Sequence, residues 1–351
     1  MQSSPARTIY RLAEVYRGLG QAAEAHDLAT VDARLSRLFG FVAGANPVAA
    51  TRVTSMLSLR GFKPAELAML GASIKPVVKF EDIPFADAAL FTARHHSHYR
   101  ITQSQPYRKD GLMLRSEPAK PGADALVVLY VGRDERAQQL ADLEANDQDD
   151  VQSAGALLGI PACCIDAFEA DVRRSRVDED TLNDDACRRV LLSAVEAPGD
   201  ARLCPLSNLE LLGFYPCHAR CPAAIARANA VLAALETQRS GAANEVLRRL
   251  RGDYLFWRLP FFARLDVGAD AVPIGPGTAE VQVSPGGLIV NVFPHQPAAA
   301  IQRRFAGLLT QAFNGGTHVS VVADQLVARR GDARLHGFAA AEQSPILARF
   351  V

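Results

Sequence analysis

Six cysteines occupy a 351-residue chain, and their grouping is its most chemically pointed feature. Cys163 and Cys164 stand side by side in "GIPACC". Cys217 and Cys221 form a C-x-x-x-C in "FYPCHARC", bracketed by Pro216 and Pro222. Cys204 lies thirteen residues upstream of Cys217 in "RLCPLSN". Thiolates are soft donors suited to zinc and to iron–sulfur clusters, and a thiolate is also a nucleophile. The spacing matches neither the paired C-x-x-C of a zinc ribbon nor C-x-x-x-C-x-x-C. A [4Fe–4S] cluster tolerates irregular spacing, because its ligands can come from distant loops. The sequence therefore predicts a metal centre built from Cys163, Cys217, Cys221 and one of Cys164 or Cys204. An iron–sulfur cluster ranks first and zinc second. Cys187, isolated within a helical pattern, reads as core.

Helix entrances must position these thiols. Gly159 suits the end of one helix and Pro161 the start of the next, so Cys163 and Cys164 fall in a first turn. Pro222 likewise makes Cys221 the residue just before a helix. Unpaired N–H groups and the positive end of the macrodipole favour thiolate at both places. Adjacent helical residues point about 100° apart. That predicts one of Cys163 and Cys164 facing the centre and the other facing the core. The short Cα–Cα separation of neighbours disfavours a disulfide between them.

Over about residues 150–235 the chain resembles an uncharacterised prokaryotic family. Its members pair a G-[YF]-P-x-C-C segment with a downstream [FY]-P-C-x-x-x-C segment, here "GIPACC" and "FYPCHARC". Ile160 departs from the aromatic residue usual at that position. The resemblance implies shared use of the cysteines and names no reaction.

Other candidates carry weaker signals. In "ARHHSHYR" the residues His95, His96 and His98 read as part of a strand, which would place His96 and His98 on one face as a possible metal pair. A polar surface strand explains them as well. His218, inside C-x-x-x-C, is a ligand or acid–base candidate. Asp166 and Glu169 follow Cys163 at helical spacing, where ordinary first-turn electrostatics accounts for them. "YLFWRLPFFARL", with Trp257, reads as a core strand. No G-x-S-x-G, H-E-x-x-H, Walker or dinucleotide-binding signature is present.

Composition bounds the rest. Formal net charge is zero and Lys is scarce, so no basic field points to nucleic acid. No apolar run approaches a membrane span, and the first residues lack a secretory core. The expectation is a cytoplasmic protein with reduced thiols. Periodicity predicts an α+β (mixed α/β) fold in four parts. These are a helical region over 1–75, a small α/β unit over 76–148, a cysteine-bearing helical region over 149–240 and an α+β unit over 241–351. The functional expectation is a metalloprotein doing redox or Lewis-acid chemistry on a small-molecule substrate. Two alternatives stand beside it: a metal-free interaction or scaffold protein with packed cysteines, and a thiol enzyme with Cys163 or Cys217 as nucleophile.

Overall fold

The computed structural model describes residues 64–110, 115–122, 124–146, 150–174, 179–206, 211–258, 261–265 and 346–351, with isolated strands at 52–55, 280–282, 288–292, 318–322, 325–330 and 333–339. Ile9, Leu12, Tyr16 and Leu19, then Val31, Leu35, Leu38 and Val42, and again Ile301, Phe305, Leu308 and Leu309 recur at helical spacing; the helices they predict lie outside the described residues. The fold is mixed α+β.

The first sheet grows around one strand. β6 (Leu126–Gly132) is apolar at nearly every position, which suits a strand covered on both faces. It pairs antiparallel with β2 (Val77–Pro84) along one edge, and with β3 (Arg100–Gln103) and β4 (Tyr107–Asp110) along the other. β5 (Arg115–Pro118) extends the sheet beyond β4. The period-2 alternation divides β6 between two cores. Val127, Leu129 and Val131 join Phe80, Ile83 and Ala88 on one face. Tyr130 faces the other way, with Val77, Ala137 and Leu140. Helix α2 (Phe85–His95) lies on the first face and α3 (Arg136–Ala145) on the second.

A second, larger core belongs to helices. These are α1 (Pro64–Gly71), α5 (Ala162–Arg174), α6 (Glu179–Glu196), α7 (Pro222–Gln238) and α8 (Ala242–Leu250). The short helix α4 (Val151–Leu157) precedes α5, and Asp150 caps it by accepting the Ser153 N–H at 2.9 Å. In α7, Ala224, Ala228, Val231, Leu232 and Leu235 are buried, the stripe of an amphipathic helix. The core continues onto β7 (Gly252–Arg258), β8 (Phe261–Leu265) and β14 (Ile346–Phe350), through Tyr254, Phe256, Phe262 and Phe350. β7 and β8 pair antiparallel, which makes "YLFWRLPFFARL" two core strands rather than one.

Two expectations are corrected. The residue pattern also predicts a helix over Val48–Leu59, whereas its described residues form β1 (Arg52–Ser55), which pairs parallel with β10 (Leu288–Val292). Val53 and Thr54 are β-branched and favour that state. Alternation in "AEVQVSPGGLIVNVFP" predicts a hairpin, but among the described residues its two arms do not pair with each other. β10 joins the sheet of β1, β8, β7 and β14, whereas β9 (Glu280–Gln282) pairs with β11 (His318–Val322) in a separate sheet. Strand β12 (Gln325–Arg330) and strand β13 (Ala333–Ala339) complete that separate sheet. Alternation identifies strands but not their partners.

Phe80 is fully buried and meets Phe91 of α2 edge-on at 5.7 Å. Phe80→Ala should cost about 3–5 kcal/mol. Urea titration checks this, with the 69 % exposed Leu90 as a control whose change to Ser should leave the midpoint nearly unmoved.

Candidate metal centre

The fold brings four of the six cysteines together. The sulfurs of Cys163, Cys164, Cys217 and Cys221 all lie within 4.8 Å of one another. Cys163 Sγ is 3.9 Å from Cys164 Sγ and 3.7 Å from Cys221 Sγ, and Cys164 and Cys221 are 3.8 Å apart. Among the described residues this is the one group of three or more His, Cys, Asp or Glu side chains arranged to hold a metal ion.

Both neighbouring cysteines reach the centre, which corrects the expectation that the helical period would separate them. Every Cα–Cβ bond leans toward a helix's N-terminus. In a first turn, no earlier turn stands in the way. The sulfurs of Cys163 and Cys164 therefore meet ahead of α5 instead of fanning out around it. Cys221 occupies the N-cap position of α7, with Pro222 as its first helical residue. Two helix N-termini thus converge on one group of thiols.

Cys204 is the second correction. It lies outside the group, buried, next to the Tyr254 hydroxyl. Burial there pushes its thiol up to about 12. The short 3-10 turn Ala201–Leu203 points it into the core rather than toward Cys217. Cys187 is fully buried in the same core.

Arginines fasten the two cysteine segments to each other. Asp171, on α5, is fully buried. Its carboxylate accepts Arg189 Nε at 2.8 Å and also bonds Arg174. From α6, Arg189 Nη1 donates to the carbonyls of Pro216 and Cys217 at 2.6 and 2.7 Å. One guanidinium therefore spans from the cysteine helix to the cysteine loop. Ser193, one turn further along α6, accepts the Ala219 N–H at 2.8 Å, and Arg220 reaches back to the Ser193 carbonyl at 3.0 Å. On the other side, Arg227 of α7 donates to the Gly159 carbonyl at 2.6 Å and also bonds the Ile74 carbonyl. Gly159 has φ +67°, and a Cβ there would stand 2.8 Å from Pro76 Cδ, so the turn into "IPACC" requires glycine.

The thiols differ electrostatically. Burial raises the Cys164 thiol, with the Cys217 N–H at 3.4 Å working the other way. Burial and the neighbouring sulfurs push Cys217 up to about 12. Burial also acts to raise Cys221. The Ala224 amide and the three surrounding thiols outweigh it and bring Cys221 below the ordinary cysteine value. Cys221 is thus a thiol whose surroundings favour the anion, as expected at a helix entrance.

The remaining candidates sit elsewhere. His95 ends α2 and stacks on Phe91 at 4.5 Å. His96 and His98 lie in the turn that follows, not on a strand, so strand alternation does not pair them. The strand begins at Arg100. His218 Nδ1 accepts the Arg220 N–H at 3.2 Å, a contact within its own turn. Asp166 and Glu169 both accept from Gln152, at 3.0 and 2.8 Å, and Glu169 also pairs with Arg173. Trp257 is buried in β7.

Both cysteine segments fall within one recognised stretch of chain. Residues 118–240 match the model of the DUF483 family, described as a protein of unknown function. The DUF483 stretch covers β6, α3 to α7 and all six cysteines, and it spans the 150–235 resemblance seen in the sequence. No curated protein and no solved structure matches the chain.

Asp171 and Arg189 carry no motif, yet one signal was available. Asp171 follows Cys164 by two helical turns, so a carboxylate sits on the buried stripe of α5. A buried charge needs a partner. Arg189→Met should leave the buried Asp171 carboxylate with only the exposed Arg174 as partner and cost up to about 3 kcal/mol. It should also free the Cys217 loop and weaken metal affinity roughly 10–100-fold. Adding Asp171→Leu should restore part of the stability but not the affinity. Denaturant titration and competitive chelation read the two effects separately.

Proposed function

We propose that this protein binds a single metal ion, foremost zinc, through Cys163, Cys164, Cys217 and Cys221. The observation that carries the reading is the sulfur–sulfur spacing. Four thiolates about 2.3 Å from one tetrahedral ion stand about 3.8 Å apart along each edge. The separations among Cys163, Cys164 and Cys221, 3.7, 3.8 and 3.9 Å, fit that figure, and the Cys217 sulfur lies within 4.8 Å of all three. In a four-iron cube each thiolate lies one bond beyond a different iron, so the sulfurs spread to on the order of 6 Å. This reverses the order in which the sequence ranked zinc and an iron–sulfur cluster. Thiolate donors in a tetrahedral set suit zinc, and a single iron is the next candidate.

Zinc has no redox chemistry, so the ion's role is to hold the two cysteine segments together, to act as a Lewis acid, or both. A cytoplasmic setting accords with the reading, because a reducing compartment keeps thiolate ligands available to a metal. Among the described residues no helix is long and apolar enough to cross a membrane. The metal-free scaffold and the thiol enzyme give no account of why four sulfurs meet at these distances.

The test is anaerobic purification followed by metal and sulfide analysis and a visible spectrum. The expected result is a colourless protein with about one zinc per chain. Iron with inorganic sulfide and a brown colour would replace the reading with a cluster. A folded chain free of any metal would overturn it. Stripping the ion with a chelator should lower the unfolding midpoint, and returning zinc should restore it.

A further inference from the structure

We propose that Cys163 is the exchangeable ligand of this centre, and that the position it leaves takes a small thiol, bound as its thiolate. The inference rests on the metal-binding reading above. Its basis is the unequal way the fold holds the four cysteines.

Cys164 and Cys221 are each 1 % exposed. The Cys164 sulfur receives the Cys217 N–H, and Cys221 is held as the N-cap residue of α7. Cys217 is half-buried, and its backbone is fastened at both ends, its N–H on Cys164 and its carbonyl on Arg189. Cys163 is exposed. Its sulfur meets the other thiols, and no backbone N–H of the described residues reaches it. It stands in a first turn, so rotation about χ1 carries it into water without meeting an earlier turn. The buried ligands lack any such exit. The centre is thus a fixed set of three thiolates with a fourth that opens to solvent, the pattern that separates reactive zinc sites from closed ones.

The exchange balances without an oxidant. The bond from the ion to Cys163 Sγ breaks, and a bond to the incoming sulfur forms. The proton of the incoming thiol passes through water to the departing Cys163 thiolate. No electrons transfer, and the ion keeps four sulfur ligands. A thiol held this way is a thiolate at neutral pH and can act as a nucleophile.

The experiment uses cobalt(II) as a coloured substitute in the full chain, with 2-mercaptoethanol as the probe. Cys163→Ala is expected to bind one cobalt with about a quarter of the thiolate-to-metal absorbance missing. Millimolar 2-mercaptoethanol should restore that absorbance. Cys221→Ala is expected to bind at least ~100-fold more weakly and to show no recovery. Loss of cobalt from Cys163→Ala as complete as from Cys221→Ala would overturn the inference, as would a retained ion that ignores the added thiol. The wild-type chain gives a readout free of folding effects. Substoichiometric iodoacetamide on the metal-loaded protein should label Cys163 first, and a first label on Cys217 would also overturn the proposal. A wild-type chain that binds neither cobalt nor zinc defeats the metal-binding reading itself, and the inference falls with it.

Discussion

The guanidinium of Arg189 is where the two cysteine segments are joined. Its Nε pairs with Asp171, buried on the helix that carries Cys163 and Cys164, and its Nη1 holds two carbonyls of the loop that carries Cys217. Arginine suits this task because its donors form a rigid planar fork with several directions at once. Lysine, a point charge on a flexible stem, would not fix the same three partners. One further atom, Nη2, is buried without a partner. Burying that N–H carries a cost, which the other three bonds offset. The sulfurs meet because the backbones that carry them are already tied.

Secondary structure near the centre was legible where local chemistry decides it. Pro222 and the apolar stripe of α7 marked that helix, and the unbroken apolar run of β6 marked a central strand. What stayed hidden depended on partners far along the chain. Alternation placed β9 and β10 but gave no sign that they enter different sheets. The histidines of "ARHHSHYR" looked extended because they run directly into β3, and the apolar face of α2 carried the helix through His95 by way of Ala88 and Phe91.

That the cysteines cluster was readable, and their membership only in part. Proline-marked helix entrances pointed to Cys163, Cys217 and Cys221. Treating the first turn as if it lay inside a helix made Cys163 and Cys164 look incompatible, and the geometry of a helix end removes that conflict. Cys204 drew attention through closeness in sequence to Cys217, but a buried place beside Tyr254 decides its position. Arg189 and Arg227 escaped notice because arginine is common throughout this chain, and nothing local separates a fastening arginine from a solvated one.

The grip of Arg227 on the Gly159 carbonyl bears on how binding and folding are linked. Small zinc modules fold only when the ion arrives, so nearly all of the binding energy is consumed in ordering the chain. Here the entrance to α5 is anchored to α7 by hydrogen bonds that do not involve sulfur, within a large apolar core. An ion taken up by the four thiols would enter a cage whose walls already stand. More of the thiolate–metal bond energy would then be left to appear as affinity, with the surrounding helices keeping their places.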